Sequence, residues 1–304
     1  MRRLPRLPAL PWLAGGAALL LLVGLIGYAV LRERVTLPIP GLTPERCTAT
    51  VADTTVTLDL EQAARAGQVA GLAVGRGLPA RAATVALTVA LADSDLARLP
   101  GGGPDGVLAL LDDVVAVPGY RRLDVAEAAA AAAGGESEDY ADAVADARAL
   151  ASALTGNSEE AFSCRIGGDP DEASDELNAA GLVPRAETVR AEIREVFGPL
   201  PLGGFEPRGV STGHMAGSAH YEGRAVDVFF RPVTAANQVR GWALAQFLVS
   251  QADRLSVRTV IFDDRIWTSG ARSGQGWRDY DPPARSGDPA ILEHRDHVHV
   301  DVHD

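Results

Sequence analysis

The residues best able to do chemistry gather in two short stretches near the end of this 304-residue chain. One is Ser218-Ala-His220-Tyr-Glu-Gly-Arg-Ala-Val-Asp227-Val-Phe-Phe230; the other is Glu293-His-Arg-Asp296-His297-Val-His299-Val-Asp-Val302. All six histidines (His214, His220, His294, His297, His299, His303) fall in the last third, and four of them lie inside these stretches. A hydrolytic zinc ion is held by three nitrogen or carboxylate donors and keeps a fourth position for the water it acidifies. His220, Asp227 and one of the closing histidines would supply such a set. The seven residues from His220 to Asp227 exceed the three- or four-residue spacing at which ligands sit on one helical face. Their spacing fits a loop that turns at Gly223 and enters a strand over Val226–Phe230, with Asp227 at its start. His297 and His299 are two apart, so a strand points both to one face while Val298 and Val300 face the core.

The pattern Ser-x-His-x-x-Gly-x-Ala-x-Asp runs without a mismatch from Ser218 to Asp227. With the later His-x-His it resembles the zinc D-Ala-D-Ala carboxypeptidases and the hedgehog signalling domain that shares their fold, over roughly residues 184–304. The resemblance implies that His220, Asp227 and His299 are zinc ligands and that His297 lies beside the bound water and the developing oxyanion. It offers two acidic bases. The peptidase spacing, three residues before the last ligand, selects Asp296, the preferred choice, and the hedgehog spacing selects Glu293. If the closing strand includes residue 296, that side chain turns from the zinc face and Glu293 must reach in from the loop. In this family an arginine before the histidine motif often receives the substrate carboxylate or the oxyanion, which a planar guanidinium pairs bidentately. Arg208, in Gly-Gly-Phe-Glu-Pro-Arg, is the matching candidate, with an ordinary surface arginine as the competing reading. A purely structural cluster is the alternative for the ligand set. His214, His294 and His303 read as loop or terminal residues or as residues around the ligands, and Ser218 as a turn residue, since no base is signalled for it.

Several elements must position these groups. Pro184 opens a helix with Val189, Ile193, Val196 and Phe197 on one face, stopped by Gly198. Thr234 caps a helix through about Leu255. Arg258–Phe262 is a strand, and Ile266 and Trp267 pair back after the Asp-Asp-Arg turn. Residues 269–289 lack periodicity and are expected to border the cleft and select substrate.

The formal net charge of −12, with arginine as the sole Lys/Arg-type base, argues against a nucleic-acid partner. No charge interrupts Leu7–Leu31. The expected order is a cytoplasmic tail at 1–11, a transmembrane helix at 12–31 that is the single membrane anchor, and a proline-rich stalk at 32–46, with the remainder outside the cell. A cleaved signal peptide is the alternative. Cys47 and Cys164, the two cysteines, read as one disulfide in such a compartment, with free buried thiols as the alternative. Residues 47–166 read as helical and 167–183 as an acidic linker. Gly77-Leu-Pro-Ala-Arg-Ala-Ala-Thr-Val-Ala-Leu, Val117-Pro-Gly-Tyr and Ala149-Leu-Ala-Ser-Ala-Leu-Thr-Gly resemble a lysozyme-like domain of actinobacterial surface proteins. By that resemblance Asp93 stands where active relatives carry a glutamate general acid, and Gly106-Val-Leu-Ala-Leu replaces a glycan-binding segment, which implies a degenerate domain. The expected fold class is α+β: a zinc DD-peptidase/hedgehog-like domain at 184–304, an all-α lysozyme-like domain at 47–166 and one N-terminal transmembrane helix. The expected function is a membrane-anchored extracellular zinc peptidase acting on peptidoglycan stem peptides. A non-catalytic zinc-containing peptidoglycan-binding module or an envelope-assembly scaffold is the alternative.

Overall fold

The computed structural model describes residues 44–167, 170–282 and 287–304. The tail, the expected membrane helix at 12–31 and the stalk through residue 43 lie outside the described residues. Among the described residues no helix is long and apolar enough to cross a membrane.

Residues Glu45–Asp304 form one compact unit. It begins with β1 (Arg46–Val51) and β2 (Thr54–Leu58), which pair with the later β3 (Phe162–Arg165) in an antiparallel sheet of order β2-β1-β3. The all-α expectation for 47–166 is corrected here. Thr48, Thr50 and Val51, then Thr54 to Thr57, are β-branched residues that favour a pleated strand. Val56 and Leu58 turn inward between exposed threonines. In β1 and β3, Cys47 sits directly opposite Cys164, and the two form the expected disulfide.

Six helices connect β2 to β3: α1 (Leu60–Gly75), α2 (Ala80–Ser94), α3 (Pro104–Ala116), α4 (Val125–Ala133), α5 (Glu138–Ala141) and α6 (Val144–Leu154). The start of α1 is fixed by a capping box, in which Asp59 accepts from the Gln62 backbone and the Gln62 side chain accepts from that of Asp59. Alanines line the packed faces of α1 and α2, so the helices approach closely.

The second half contains α7 (Pro184–Phe197), β4 (Leu202–Gly203), β5 (Ala225–Phe229), α8 (Ala235–Ser250), β6 (Val257–Phe262), β7 (Arg265–Thr268), β8 (Arg278–Asp279), α9 (Pro289–Leu292) and β9 (His297–Val302). Its antiparallel sheet has the order β4-β5-β9-β6-β7-β8. The expected apolar face of α7, Val189, Ile193, Val196 and Phe197, is buried. Thr234 caps α8 by accepting from the Asn237 N–H at 3.3 Å. The β6–β7 hairpin puts Ile261 opposite Ile266 and Val260 opposite Trp267, as the sequence pattern predicts.

Helix α8 joins the two halves. It packs on β6 and β9, and also on α1 and α6. Gln246, fully buried on α8, accepts from the Phe162 N–H at 2.7 Å and donates to the carbonyls of Ala153 at 2.8 Å and Ser158 at 3.1 Å. Trp267 and Trp277 donate their indole N–H groups to the carbonyls of Cys164 and Phe162. The segments on either side of 167–183 therefore share one apolar core. Gln246→Leu leaves the Phe162 N–H buried without its acceptor, at a cost of about 1–3 kcal/mol, and removes one donor each from the Ala153 and Ser158 carbonyls. Urea unfolding is expected to show a loss of about 1–3 kcal/mol, and an unchanged midpoint would mean that the halves are not coupled through this residue.

Candidate metal centre

Strand pairing builds the site. In the β5–β9 ladder Asp227 stands opposite His299 and Phe229 opposite His297. Facing pairs on adjacent strands share one side of a sheet. Asp227, Phe229, His297 and His299 thus project together, while Val226, Val228, Val298 and Val300 are buried in the core. His220 enters from a 3₁₀ turn over Ala219–Glu222 that ends at Gly223. Its Nδ1 lies 2.7 Å from the Gly204 carbonyl. A Cβ at Gly204 would come within 2.3 Å of His220 Cε1 and 3.0 Å of Asp227 Oδ2, and the backbone there has φ +79, so the position requires glycine.

Three of the expected ligands meet. His220 Nε2 and His299 Nδ1 are 3.1 Å apart, His299 Nδ1 and Asp227 Oδ1 are 3.1 Å apart, and His220 Nε2 and Asp227 Oδ1 are 3.2 Å apart. Tetrahedral ligation at about 2.0–2.1 Å separates neighbouring donors by roughly 3.3 Å. The far ring nitrogens are engaged elsewhere. A carbonyl only accepts, so His220 Nδ1 carries hydrogen toward Gly204 and leaves Nε2 as a donor atom. His299 Nε2 is 3.3 Å from Asp301 Oδ2, which fixes that ring from behind and leaves Nδ1 inward. Metal sites orient their imidazoles in this way. Another histidine adjoins the group: His214, His220 and Asp227 each offer a ligand atom within 4.8 Å of the others, so they could hold a metal ion.

The cluster is electrostatically paired. Burial favours a neutral Asp227, but its hydrogen bonds to His220 and His299 overcome this and hold its carboxyl well below the usual range. Burial likewise disfavours charge on His299, yet hydrogen bonds to Asp227 and Asp301 raise it to about 10. Because the folded value lies above the ordinary 6.5, this pairing stabilises the metal-free protein fully below pH 6.5 and is lost as pH rises through about 10. A metal that takes His299 Nδ1 must displace that proton. Titration of metal-free protein with zinc near neutral pH is expected to release about one proton per ion. Calorimetry in buffers of different ionisation enthalpy measures this, and zero release would remove His299 from the ligand set.

The remaining expected residues are arranged differently. His297 lies beside the donors, with Nε2 3.9 Å from Asp227 Oδ1. Asp296 stands just before β9, and its carboxylate is committed: Oδ1 accepts from His297 Nδ1 at 2.7 Å and Oδ2 pairs with Arg231 Nε at 2.6 Å. Glu293 pairs with Arg295 at 2.7 Å. Neither acid lines the cleft, nor does Arg208, which is exposed with φ +74. Ser218 opens the His220 turn. His303 bonds Ser269 at 2.7 Å, and its ring does not line the cleft. His294 packs its ring 4.5 Å from that of His297, and burial, then the nearby His299 and His297, lowers it to about 2, so it is neutral.

The cleft over these groups has a volume of 370 Å³, within the usual span for small-ligand sites. Of the described residues in 269–289, Tyr280 reaches its wall, while Gly270 and Ser273 bond Ile166. Arg231, stacked 4.2 Å over the Phe229 ring, also lines the cleft. Sequence reasoning missed Arg231 and Asp301, although each continues the two-residue period of its strand, Asp227-x-Phe229-x-Arg231 and His297-x-His299-x-Asp301.

Residues 178–290 match the family described as VldE, C-terminal domain. The match covers less than half of the chain; it contains His214, His220 and Asp227 and ends before His297 and His299. No curated protein and no solved structure matches.

Proposed function

We propose that this chain is a zinc-dependent peptidase of the cell envelope acting on peptidoglycan stem peptides, at D-alanine-containing bonds, as a carboxypeptidase or endopeptidase. The observation that carries the reading is the close triangle of His220, Asp227 and His299 donors whose imidazoles are fixed from behind. Two nitrogens and a carboxylate oxygen suit zinc. Zinc held there supplies a Lewis acid and lowers the pKa of a water to about 7.

The protein's own groups supply the rest. Asp296 accepts the Nδ1 hydrogen of His297, which leaves Nε2 facing the donors as the proton acceptor. Arg231 pins Asp296 through Nε, and its guanidinium sits in the cleft wall where a substrate carboxylate or oxyanion can be received. In this reading Asp296 acts through His297, and Arg231 takes the part expected of Arg208. The uncharged stretch 7–31, read as a membrane anchor, and the disulfide support placing the site outside the cell. The helical half is assigned no glycosidase activity. Asp93 is exposed and paired with Arg98 at 3.2 Å, whereas a general acid is normally set in an apolar pocket.

The test is the zinc content of the purified protein together with mass analysis of muropeptides incubated with and without chelator. About one zinc per chain and a chelator-sensitive product are expected, with the lost mass naming the bond. A second reading is a zinc-containing module that binds peptidoglycan or scaffolds envelope assembly without cleavage. It is favoured by the commitment of both expected acids to ion pairs, Asp296 with Arg231 and Glu293 with Arg295. Zinc without any product would select it.

A further inference from the structure

The stretch 213–217 forms a wall of the cleft. On it the His214 ring lies 3.9 Å from that of His220, with 24° between their planes. The backbone of His214 is tied to the very turn that carries His220. Its N–H donates to Tyr221 Oη at 3.1 Å, and that hydroxyl donates to the His214 carbonyl at 2.7 Å. The Ser218 N–H closes the loop on the Met215 carbonyl at 3.1 Å. Gly213 and Gly217, at φ +95 and +77, let the chain turn at both ends of this short wall. The loop thus has a fixed base, and the imidazole projects from that base beside the donors. A ligand atom of His214 already falls with those of His220 and Asp227 in one group within 4.8 Å.

We propose that His214 is a fourth metal ligand, so that the resting site is closed by four protein donors: His214, His220, Asp227 and His299. The inference rests on the zinc reading above. A catalytic zinc keeps an open position, while a site with four protein ligands is closed. Rotation about the His214 side-chain bonds lets the ring join or leave the group without breaking the Tyr221 clamp. Substrate or water then reaches the ion when His214 turns away. His297 is the competing neighbour: its Nδ1 is bound to Asp296 and its Nε2 lies 3.9 Å from Asp227 Oδ1, so the test must separate the two histidines.

X-ray absorption at the zinc edge of the zinc-loaded full-length protein counts imidazoles directly. Three are expected in the wild type and two in His214→Ala, with a light-atom ligand gained in the variant. Competition with a chelator is expected to show zinc bound at least about tenfold more weakly by His214→Ala, with stoichiometry unchanged at saturation. Two imidazoles in the wild type would overturn the proposal by themselves, whatever the variant does. Unchanged affinity in His214→Ala beside weakened affinity in His297→Ala would give the position to His297 and also overturn it. A wild-type protein that takes up no zinc overturns the metal reading and this inference together; zinc held by two imidazoles overturns only the part given to His214.

Discussion

Asp227→Asn is expected to abolish stable zinc binding, and with it any chelator-sensitive activity. Asp227 is 6% exposed and contributes the one negative charge among the three inward donors. An amide keeps the shape but leaves a divalent ion facing neutral donors at a largely buried position, where uncompensated charge is costly. Loss of a partner outside the ligand shell costs about 10–100-fold in affinity, so removal of the charged ligand itself is expected to exceed about 100-fold. Chelator competition measures it. The metal-free protein loses as well, because Asp227 is also the counter-charge of His299. Breaking a buried pair by removing one partner costs about 3–5 kcal/mol. The variant's melting temperature near neutral pH should therefore fall even in chelator. Full zinc affinity in Asp227→Asn would refute the ligand set.

His297→Ala is expected to separate binding from turnover. The triangle of donors is complete without His297, whose Nε2 stands 3.9 Å from Asp227 Oδ1. Zinc stoichiometry should stay at one. Removal of a positioned proton acceptor usually costs about 10²–10⁴ in rate, and hydrolysis of muropeptides should fall by that much. Asp296→Asn retains the ring but replaces the acceptor that fixes Nδ1–H with an amide that can donate instead, so a smaller loss and an altered pH profile are expected. Glu293→Gln should leave the rate within a factor of a few, since its carboxylate pairs with Arg295 outside the cleft. The reverse ranking, with Glu293→Gln inactive and His297→Ala active, would return the base to Glu293.

The fold was legible wherever a local period had a local cause. The apolar face of α7, the cap of α8 and the β6–β7 hairpin all follow from residues within one turn or one hairpin of each other. The hairpin of β1 and β2 escaped because it is short and is completed by β3, more than a hundred residues later in the chain. Continuity of the core through α8 escaped for the same reason. Gln246 reads as a polar interruption in an apolar helix until the Phe162, Ala153 and Ser158 backbone groups are placed around it.

In the site, the sequence by itself determined the donor chemistry. His220, Asp227 and His299 are the residue types zinc prefers, and the alternation of β9 requires His297 and His299 to share a face opposite Val298 and Val300. Those properties depend on side-chain identity and on the period of a strand. The tertiary structure decided which groups meet. The β5–β9 register sets Asp227 against His299, and a one-residue slip would have sent one of them into the core. The placement of Asp296 between His297 and Arg231 commits both oxygens of the expected base to neighbouring side chains. His214 gave no sign through spacing; the Tyr221 clamp brought it to the ring of His220. Such partnerships arise from loop closure and cross-strand register, which join residues distant in sequence and leave no period along the chain.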